Sequence, residues 1–449
     1  MKHTARLTVC LLALALTACT AAPQDMPTGT TTETAAAPVQ TAESTTETPA
    51  VQDTLTSLYT TWGAAVGRDA VYSAMNIDDA GQYFATKIDF PTGEQRILCN
   101  KFGCSHADES CPAYMTAIRN GCVPEAMLLP VGDRLYWLVD GRHNESDSAY
   151  LDVSNPDGSD RRRVAEGDDL PDLTNAYVWY TDGTALYTFV RSYDKYSALR
   201  LDEGGAACFF TRSIPDGEDY FALGCWQDKI VLQHSGGYLQ QPLNPAGEAA
   251  TDEELRAWLA ADEQARNEQT KNLCLLDTAG NMTDTDMTWR GDAGNVQLVH
   301  NGAAYVLNES GLVTKFDLTA GTAQTRQLDL QGVLYGVVEG ARLDGWIPVT
   351  VRDDSEGLLN PETGVYTPLP TTWLKDQAVE RSPFIVAASD TMLLVKYGEI
   401  YYTTNDIGTD GAPYSFTTCR GEYGIISAAD YLAGSQDWVQ VTLQGRDLV

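Results

Sequence analysis

The chain has 449 residues, 43% of them hydrophobic, and a formal net charge of −32 at pH 7. A charge of that sign repels phosphate backbones and anionic headgroups, so no nucleic-acid partner and no membrane attachment through basic patches is expected. It favours cations or cationic ligands, although acidity also serves simply to keep an exported protein soluble.

The first residues have the pattern of an export signal, with a cationic start and an apolar run too short to span a bilayer as a mature helix. That run ends in Leu16-Thr17-Ala18-Cys19, which resembles the lipobox of bacterial lipoproteins. The resemblance implies removal of residues 1–18, attachment of diacylglycerol to Cys19, and a lipid-anchored protein on the extracytoplasmic face of the cell membrane. The alternative is an ordinary secretory signal in which the cysteine occurs by chance.

The next segment, residues 19–53, consists almost entirely of Thr, Ala, Pro, Glu, Gln and Ser. Such a segment buries too little apolar surface to offset its ordering entropy. We therefore predict a disordered tether, followed by one large β-rich domain over residues 54–449.

Two kinds of turn alternate along this domain. One is a polar pair between two apolar runs, and the other is an Asp or Asn at the end of an alternating strand with a glycine a few residues later. The polar pairs are Gly132-Asp133, Asp182-Gly183, Gln227-Asp228, Asn301-Gly302, Asp344-Gly345, Ser389-Asp390 and Gln436-Asp437. The second kind runs from Asp89 to Gly93, Asp152 to Gly158, Asp202 to Gly205, Asp277 to Gly280, Asp317 to Gly321, Asn360 to Gly364 and Asn405 to Gly408. Together they indicate a repeated four-stranded meander.

Most of these turns recur at intervals of about 40 to 50 residues. A four-stranded unit with that repeat length is typical of a β-propeller. We predict an all-β fold with a single propeller of seven four-stranded blades, with six or eight as the alternatives. The first turn of the second kind, at Asp89, has no polar pair before it, and the last polar pair, Gln436-Asp437, comes close to the end of the chain. We therefore expect each end to supply half a blade, so that pairing of amino- and carboxy-terminal strands closes the ring.

Two segments carry resemblances to known propellers. The hairpin from Ala149 to Arg163 is similar to those of TolB-like and YWTD-type propellers. The segment from Leu98 to Tyr114 resembles one found in uncharacterised propeller lipoproteins of anaerobic Gram-positive bacteria. These resemblances imply the propeller architecture, the lipid anchor and an extracytoplasmic binding or sensing role.

Two stretches exceed the repeat length: a cysteine-rich insertion over residues 99–122 and a helical insertion over residues 236–271. The helix is expected to begin at a capping box, from Thr251 to Glu254. If the strands of a blade are named A to D, both insertions follow strands that end on the same side of the ring, so we expect them on one face, together with any ligand site. Trp258 shares one side of the helix with Leu255 and Leu259, and it is either a ligand-stacking residue or an anchor that covers apolar blade surface.

The cysteine-rich insertion contains Cys99, Cys104, His106 and Cys111. Three thiolates and an imidazole supply the four donors of a structural tetrahedral zinc site, although the spacing is not that of a standard zinc motif. With Cys122, the same cysteines offer two disulfides, which export permits, or a reactive thiol. Cys208, Cys225, Cys274 and Cys419 lie in predicted strands and are expected to be small buried side chains.

Catalytic signatures are scarce. The sequence has no Gly-x-Ser-x-Gly elbow, no His-Glu-x-x-His and no phosphate-binding glycine loop. We therefore predict a non-catalytic binding or interaction module for a peptide, a glycan or a partner protein. The alternative is an extracytoplasmic polysaccharide hydrolase or lyase that uses carboxylates in the central channel.

Overall fold

The computed structural model describes most of residues 54–443, and all described residues belong to one compact unit that starts at Gln52. The predicted signal peptide 1–18, Cys19, the tether 19–53 and Cys122 lie outside the described residues. The residues not described are 1–53, 59, 62–63, 77–82, 109, 116–125, 140–148, 172, 174–175, 177, 193–194, 215–217, 237–250, 292–295, 309–310, 329–333, 338–342, 344, 352–354, 370–371, 374–379, 382, 390, 408–412 and 444–449.

The chain is built almost wholly of strands. Two short strands come first, β1 (Thr56–Leu58) and β2 (Thr60–Thr61). Blade one contains β3 (Ala64–Val66), β4 (Ala70–Asn76), β5 (Tyr83–Asp89), β6 (Glu94–Ile97) and β7 (Tyr114–Met115). Blade two contains β8 (Ala126–Val131), β9 (Arg134–Val139), β10 (Tyr150–Ser154) and β11 (Arg162–Glu166). Blade three contains β12 (Trp179–Thr181), β13 (Leu186–Arg191), β14 (Lys195–Asp202) and β15 (Gly205–Ser213).

Four further blades follow. Blade four contains β16 (Asp219–Trp226), β17 (Lys229–Gly236), helix α1 (Asp252–Glu268), β18 (Thr270–Asp277) and β19 (Met282–Arg290). Blade five contains β20 (Val296–His300), β21 (Ala303–Leu307), β22 (Leu312–Asp317) and β23 (Thr322–Gln327). Blade six contains β24 (Leu334–Val337), β25 (Ile347–Val351), β26 (Ser355–Asn360) and β27 (Val365–Pro368), and a hairpin of β28 (Thr372–Trp373) and β29 (Glu380–Arg381) follows it. Blade seven contains β30 (Phe384–Ala388), β31 (Met392–Ile407), β32 (Pro413–Ser427), helix α2 (Ala428–Leu432) and β33 (Val439–Gln440), and β34 (Thr442–Leu443) is the last strand.

The seven-bladed propeller is confirmed by the sheet topology. In each blade the four strands A to D pair as an antiparallel meander in chain order. Seven apolar clusters occupy the junctions between neighbouring blades, one for each junction, including the junction of blades seven and one. The ring is therefore closed by burial of apolar side chains between every adjacent pair of sheets.

The ends of the chain do pair, but not as two halves of one blade. Blade one takes all its main strands from the amino-terminal part and blade seven all of its own from the carboxy-terminal part. The closing contact is a parallel pairing of β34 with the outer strand β6, in which Thr442 lies opposite Glu94. Val441, just before β34, is buried with Val71 and Ile425 at the junction of blades one and seven.

Two predicted turns have other positions than expected. The hairpin after Asn405 joins strands B and C of blade seven, not C and D, and Gln436-Asp437 lies between α2 and strand D. The A–B turn of blade one lies at 67–69, where the Gly67 N–H donates to the Ala70 carbonyl at 2.8 Å. Its sequence, Gly67-Arg68-Asp69, has its polar residues Arg68 and Asp69 after a glycine. The turn pattern does not identify this turn and therefore indicates only half a blade at this end.

Strand β1 does not belong to blade one. It pairs antiparallel with β12, the first strand of blade three, where Ser57 lies opposite Tyr180. Leu55 is buried against blades three and four, and its N–H donates to the Gln227 carbonyl at 2.6 Å. The chain therefore enters the ring at the inner edge of blade three before it builds blade one.

The helical insertion forms as predicted. The Thr251 N–H donates to Glu254 Oε2 at 2.9 Å, and the Glu254 N–H donates to Thr251 Oγ1 at 3.3 Å, which are the two bonds of a capping box. Among the described residues, neither helix is long and apolar enough to cross a bilayer.

Candidate metal centre

The cysteine-rich insertion is an excursion in the outer strand of blade one. Strand β5 pairs first with β6 and then with β7, where Phe84 lies opposite Tyr114. Residues 98–113 therefore leave the sheet at its outer edge and return to it. The chain rejoins blade one at β7 instead of passing directly from β6 to blade two, so the insertion interrupts the outer strand of blade one. That it shares one face of the ring with the helical insertion stays a prediction.

The four predicted ligands come together. The donor atoms of Cys99, Cys104, His106 and Cys111 all lie within 4.8 Å of one another, and His106 Nδ1 is 3.3 Å from Cys111 Sγ. Zn–S bonds of about 2.3 Å place the sulfur atoms of a tetrahedral site about 3.8 Å apart, so this spread fits such a site. None of the described cysteines is in a disulfide. The cluster could therefore bind a metal ion, while a bridge to Cys122 involves a residue outside the described part of the chain.

Two tight turns produce this convergence. In the first, the Cys104 N–H donates to the Lys101 carbonyl at 3.2 Å, and Gly103 has a positive φ of 72°. In the second, the Cys111 N–H donates to the Asp108 carbonyl at 3.0 Å. Lys101 Nζ donates to the Ser110 carbonyl at 3.0 Å and ties the two turns together.

The thiols differ in their affinity for protons. A backbone hydrogen bond from His106 lowers the pKa of Cys104, whereas burial raises the pKa of Cys111 to about 12. Cys104 therefore loses its proton more readily than Cys111. A cation that binds all four groups must displace the proton of Cys111.

Blade two holds the cluster from the other side. Arg161 Nη1 donates to the carbonyls of Pro112 and Tyr114 at 2.9 and 3.3 Å. The same guanidinium bonds buried Asp152 through Nε at 2.9 Å and lies 4.0 Å from the Trp137 ring centroid. Arg161 therefore joins the returning end of the insertion to the core of blade two.

A close backbone approach adds to this contact. Gly158, in the C–D turn of blade two, has a φ of 80°, and a Cβ at this position would lie 2.6 Å from the Leu98 carbonyl oxygen. Leu98 directly precedes the first predicted ligand, Cys99. The turn glycine is thus required both by its left-handed backbone and by the position of the cysteine-rich insertion.

The helical insertion presents a partly uncovered apolar side. Trp258 is half-buried, whereas Leu255 and Leu259 are 42% and 51% exposed. The helix therefore does not use these two leucines to cover the blade surface. A ligand-stacking role for Trp258 stays a prediction.

The isolated cysteines only partly match the expectation. Cys225 and Cys274 are buried as predicted. Cys208 is exposed, because it lies on the outer strand β15, and its Sγ is 3.1 Å from Thr211 Oγ1. Cys419 lies on β32, but its side chain is outside the described part of the structure.

A second group of metal-ligating side chains was not predicted. His234, Cys274 and Asp284 each place one ligand atom within 4.8 Å of the others. They come from three adjacent strands of blade four, and their sequence spacing contains no metal motif. Cys274 was predicted correctly to be buried, but the pairing register that brings Asp284 opposite it is not visible in the sequence.

No family model matches the chain, and no curated protein matches it. Among solved structures, it is similar to the β-propeller domain of the Trilobed protease from Pyrococcus furiosus, at 10% identity and a TM-score of 0.40, over 86% of this chain and 98% of that one. It is also similar to BamB from Moraxella catarrhalis, at 12% identity and a TM-score of 0.34, over 83% of this chain and 95% of that one. A third similarity is to an oligogalacturonate lyase in complex with manganese, at 10% identity and a TM-score of 0.35, over 63% of this chain and 73% of that one. The blade count given above comes from the sheet pairing of this chain itself.

Proposed function

We propose that this chain is a lipid-anchored extracytoplasmic lipoprotein whose propeller is a non-catalytic binding module for a peptide, a glycan or a partner protein. The observation that carries the proposal is the location of exposed apolar side chains on its two insertions. Phe102 is fully exposed in the cysteine-rich insertion, and Leu255 and Leu259 are exposed on α1. Exposed apolar groups on segments fixed to a rigid scaffold are typical of binding surfaces.

The binding test uses the purified full chain with Cys19→Ser, which prevents lipidation. The chain is immobilised and probed with a glycan array and with an extract of cell-envelope proteins, and every retained ligand is then analysed for reaction products. We expect retention without turnover, and a loss of retention in the double variant Leu255→Glu, Leu259→Glu.

The matched control is Val365→Glu, because Val365 is 50% exposed on an outer strand of blade six, away from both insertions. It should retain ligand as the parent chain does. Release of product from a retained polysaccharide would contradict the proposal and indicate a hydrolase or lyase. Equal retention by the helix variant would remove α1 from the contact surface.

The anchor is tested separately. Cys19→Ala should move the protein from the membrane fraction to the soluble extracytoplasmic fraction and abolish the incorporation of labelled fatty acid. The control is Cys208→Ala, which removes an exposed cysteine of the domain. Unchanged fractionation and labelling of Cys19→Ala would support the ordinary secretory signal instead.

We further propose that Cys99, Cys104, His106 and Cys111 hold a structural Zn²⁺. A set of three sulfur donors and one nitrogen donor is typical of closed structural zinc sites, and a loop without a core of its own gains the most from such a cross-link. We expect the chain purified under reducing conditions to contain zinc, and Cys104→Ser to lose the metal of this site. The opposing outcome is measured by mass spectrometry of the denatured, non-reduced chain. If Cys99, Cys104 and Cys111 are all oxidised, the cluster forms disulfides and the zinc proposal is wrong.

A further inference from the structure

Blade four contains a second cluster of donor groups, well separated in sequence from the cysteine-rich insertion. We call His234, Cys274 and Asp284 the blade-four cluster. His234 lies near the end of β17 and Cys274 on β18, the two strands that the helical insertion connects. Buried Cys274 belongs to the apolar cluster at the junction of blades three and four.

The pairing register accounts for the convergence. His234 lies opposite Asn272, and Cys274 lies opposite Asp284, with a register shift between Asn272 and Cys274. Cys274 Sγ is 3.0 Å from Asp284 Oδ1. Because one ligand atom of each residue lies within 4.8 Å of the other two, a single ion can contact all three.

Each nitrogen atom of the histidine ring has an oxygen atom nearby. His234 Nδ1 is 3.0 Å from Asn272 Oδ1, and Nε2 is 3.4 Å from Glu218 Oε2. The ring also stacks on Tyr220 with 4.5 Å between centroids. Whichever nitrogen binds a metal, the other has an oxygen partner, which is the usual arrangement around metal-binding histidines.

Two buried polar atoms beside the cluster lack a hydrogen bond within the described part of the chain. His234 Nε2 and Glu218 Oε2 are both buried and make no hydrogen bond to the described residues. Since Asn272 Oδ1 can only accept, it fixes the ring proton on Nδ1, so that Nε2 directs a lone pair toward a carboxylate. The nearby guanidinium of Arg212 lies 3.6 Å from Glu218 and 4.9 Å from the Tyr220 ring centroid. The lone pair of His234 Nε2 and those of the Glu218 carboxylate therefore face each other. A metal ion or a second ring proton bound at Nε2 would relieve this repulsion.

We propose that His234, Cys274 and Asp284 bind a divalent transition-metal ion of the Zn²⁺ class. A set of sulfur, nitrogen and oxygen donors favours such ions over Ca²⁺ and Mg²⁺, which prefer oxygen ligands alone. On binding, the Cys274 Sγ–H bond breaks, the sulfur forms a bond to the metal, and the proton passes to solvent. Three protein ligands leave one position of a tetrahedral ion for a donor from solvent or from a ligand. Asp284 is the exposed member of the cluster.

The test uses Co²⁺ as a spectroscopic probe of the metal-free full chain with Cys19→Ser, under reducing conditions. A Cys104→Ser background removes the site in the cysteine-rich insertion, so the two sites are measured independently. In this background we expect one Co²⁺ per chain, with a thiolate-to-cobalt charge-transfer band in the near ultraviolet. Asp284→Asn, which keeps an acceptor for the thiol, should weaken binding by about tenfold or more.

The decisive comparison is between two buried thiols of the same sheet. Cys274→Ser should abolish the charge-transfer band, whereas Cys225→Ser should retain it. Circular dichroism of each variant confirms that it is folded. Absence of Co²⁺ binding in the Cys104→Ser background, or equal affinity of the Asp284→Asn variant, would overturn the proposal and assign these groups to an imidazolium–carboxylate ion pair.

Discussion

Arg161 is the residue that most directly connects the cysteine-rich insertion to blade two. Its side chain is 16% exposed and that of its partner Asp152 only 6%, so the ion pair is largely removed from water. Because it also bonds two backbone carbonyls of the insertion, its contribution exceeds that of a surface ion pair.

We expect Arg161→Ala to lower the free energy of unfolding by about 2 to 3 kcal/mol, since several hydrogen bonds of a charged group are lost. Among the described residues, buried Asp152 then keeps only Arg163 as a cationic partner. The control is Arg162→Ala, which removes an ion pair with Glu203 whose side chains are 49% and 43% exposed. Arg162→Ala should lower the free energy of unfolding by less than about 1 kcal/mol. Chemical denaturation measures both, and equal losses would contradict the role assigned to Arg161.

Glu362 makes stability depend on pH. It accepts hydrogen bonds from Lys315 at 2.6 Å and from Tyr305, and these contacts of blade five with blade six lower its pKa. A carboxyl whose folded pKa is depressed stabilises the fold above the unfolded pKa of about 4.3, and this contribution is lost as the pH falls through the folded value.

We therefore expect Glu362→Gln to reduce the loss of stability between about pH 5 and pH 3. The measurement is the unfolding free energy in urea as a function of pH. In a Lys315→Met background, the same substitution should change the profile less, because the main cause of the depressed pKa is gone. An unaltered profile of the single variant would show that the contact does not form in solution.

At the residue scale, the sequence predicted one candidate metal site and missed the other for a physical reason. Cys99, Cys104, His106 and Cys111 lie within one loop, so their spacing alone brings the donors near each other. His234, Cys274 and Asp284 meet only through strand register and its shift beside Cys274, which no local pattern encodes.

At the scale of elements, the turn between β10 and β11 determines where the cysteine-rich insertion can lie. Gly158 in this turn contacts the Leu98 carbonyl, and a side chain there would occupy the place of the loop backbone. The turn and the outer edge of blade one are therefore coupled.

Gly158→Ala tests this coupling. We expect a loss of about 1 to 3 kcal/mol from the steric conflict, in addition to the cost of a left-handed backbone. Gly183→Ala is the matched control, because Gly183 has a φ of 87° but a Cβ at this position would have nothing within 4 Å. Only the Gly158 variant should also weaken Co²⁺ binding by the cysteine-rich insertion, as measured by titration. Equal losses of stability and of Co²⁺ affinity in the two variants would contradict the coupling between this turn and the insertion.

The same scale shows what the turn patterns could predict. The polar pairs located six A–B turns correctly, and six of the second kind of turn join strands C and D as expected. The pattern failed in the first and the last blade. In blade seven the long strands β31 and β32 form a B–C hairpin with the same Asn and Gly signals. In blade one the A–B turn is Gly67-Arg68-Asp69, which the pattern does not identify although Arg68 and Asp69 are polar. Local turn chemistry therefore does not reveal which strands a turn connects.

At the scale of the whole molecule, ring closure depends on a short segment at the end of the chain. The Val441 N–H donates to the Tyr423 carbonyl at 2.9 Å, and its side chain is buried at the junction of blades one and seven. This attachment positions β34 against β6.

Val441→Pro removes the N–H donor and should release β34. We expect amide hydrogen exchange to accelerate in β6 and β33 while β22 and β23 of blade five keep their protection. Val441→Ala keeps the donor and should leave the exchange of β6 much closer to that of the parent chain. Uniform acceleration in all blades would indicate that the ring opens only by global unfolding.

The position of β1 also determines how the protein responds to mechanical tension. A pull applied to the amino-terminal end of the chain reaches the pairing of β1 with β12, and the Leu55 contact with the Gln227 carbonyl, before it reaches any strand of blade one. Force is thus passed first to blades three and four, on the inner side of the ring, while the seam between β6 and β34 lies off its path. Under tension on the amino terminus, we therefore expect β1 to separate from β12 first, while the pairing of β34 with β6 stays intact.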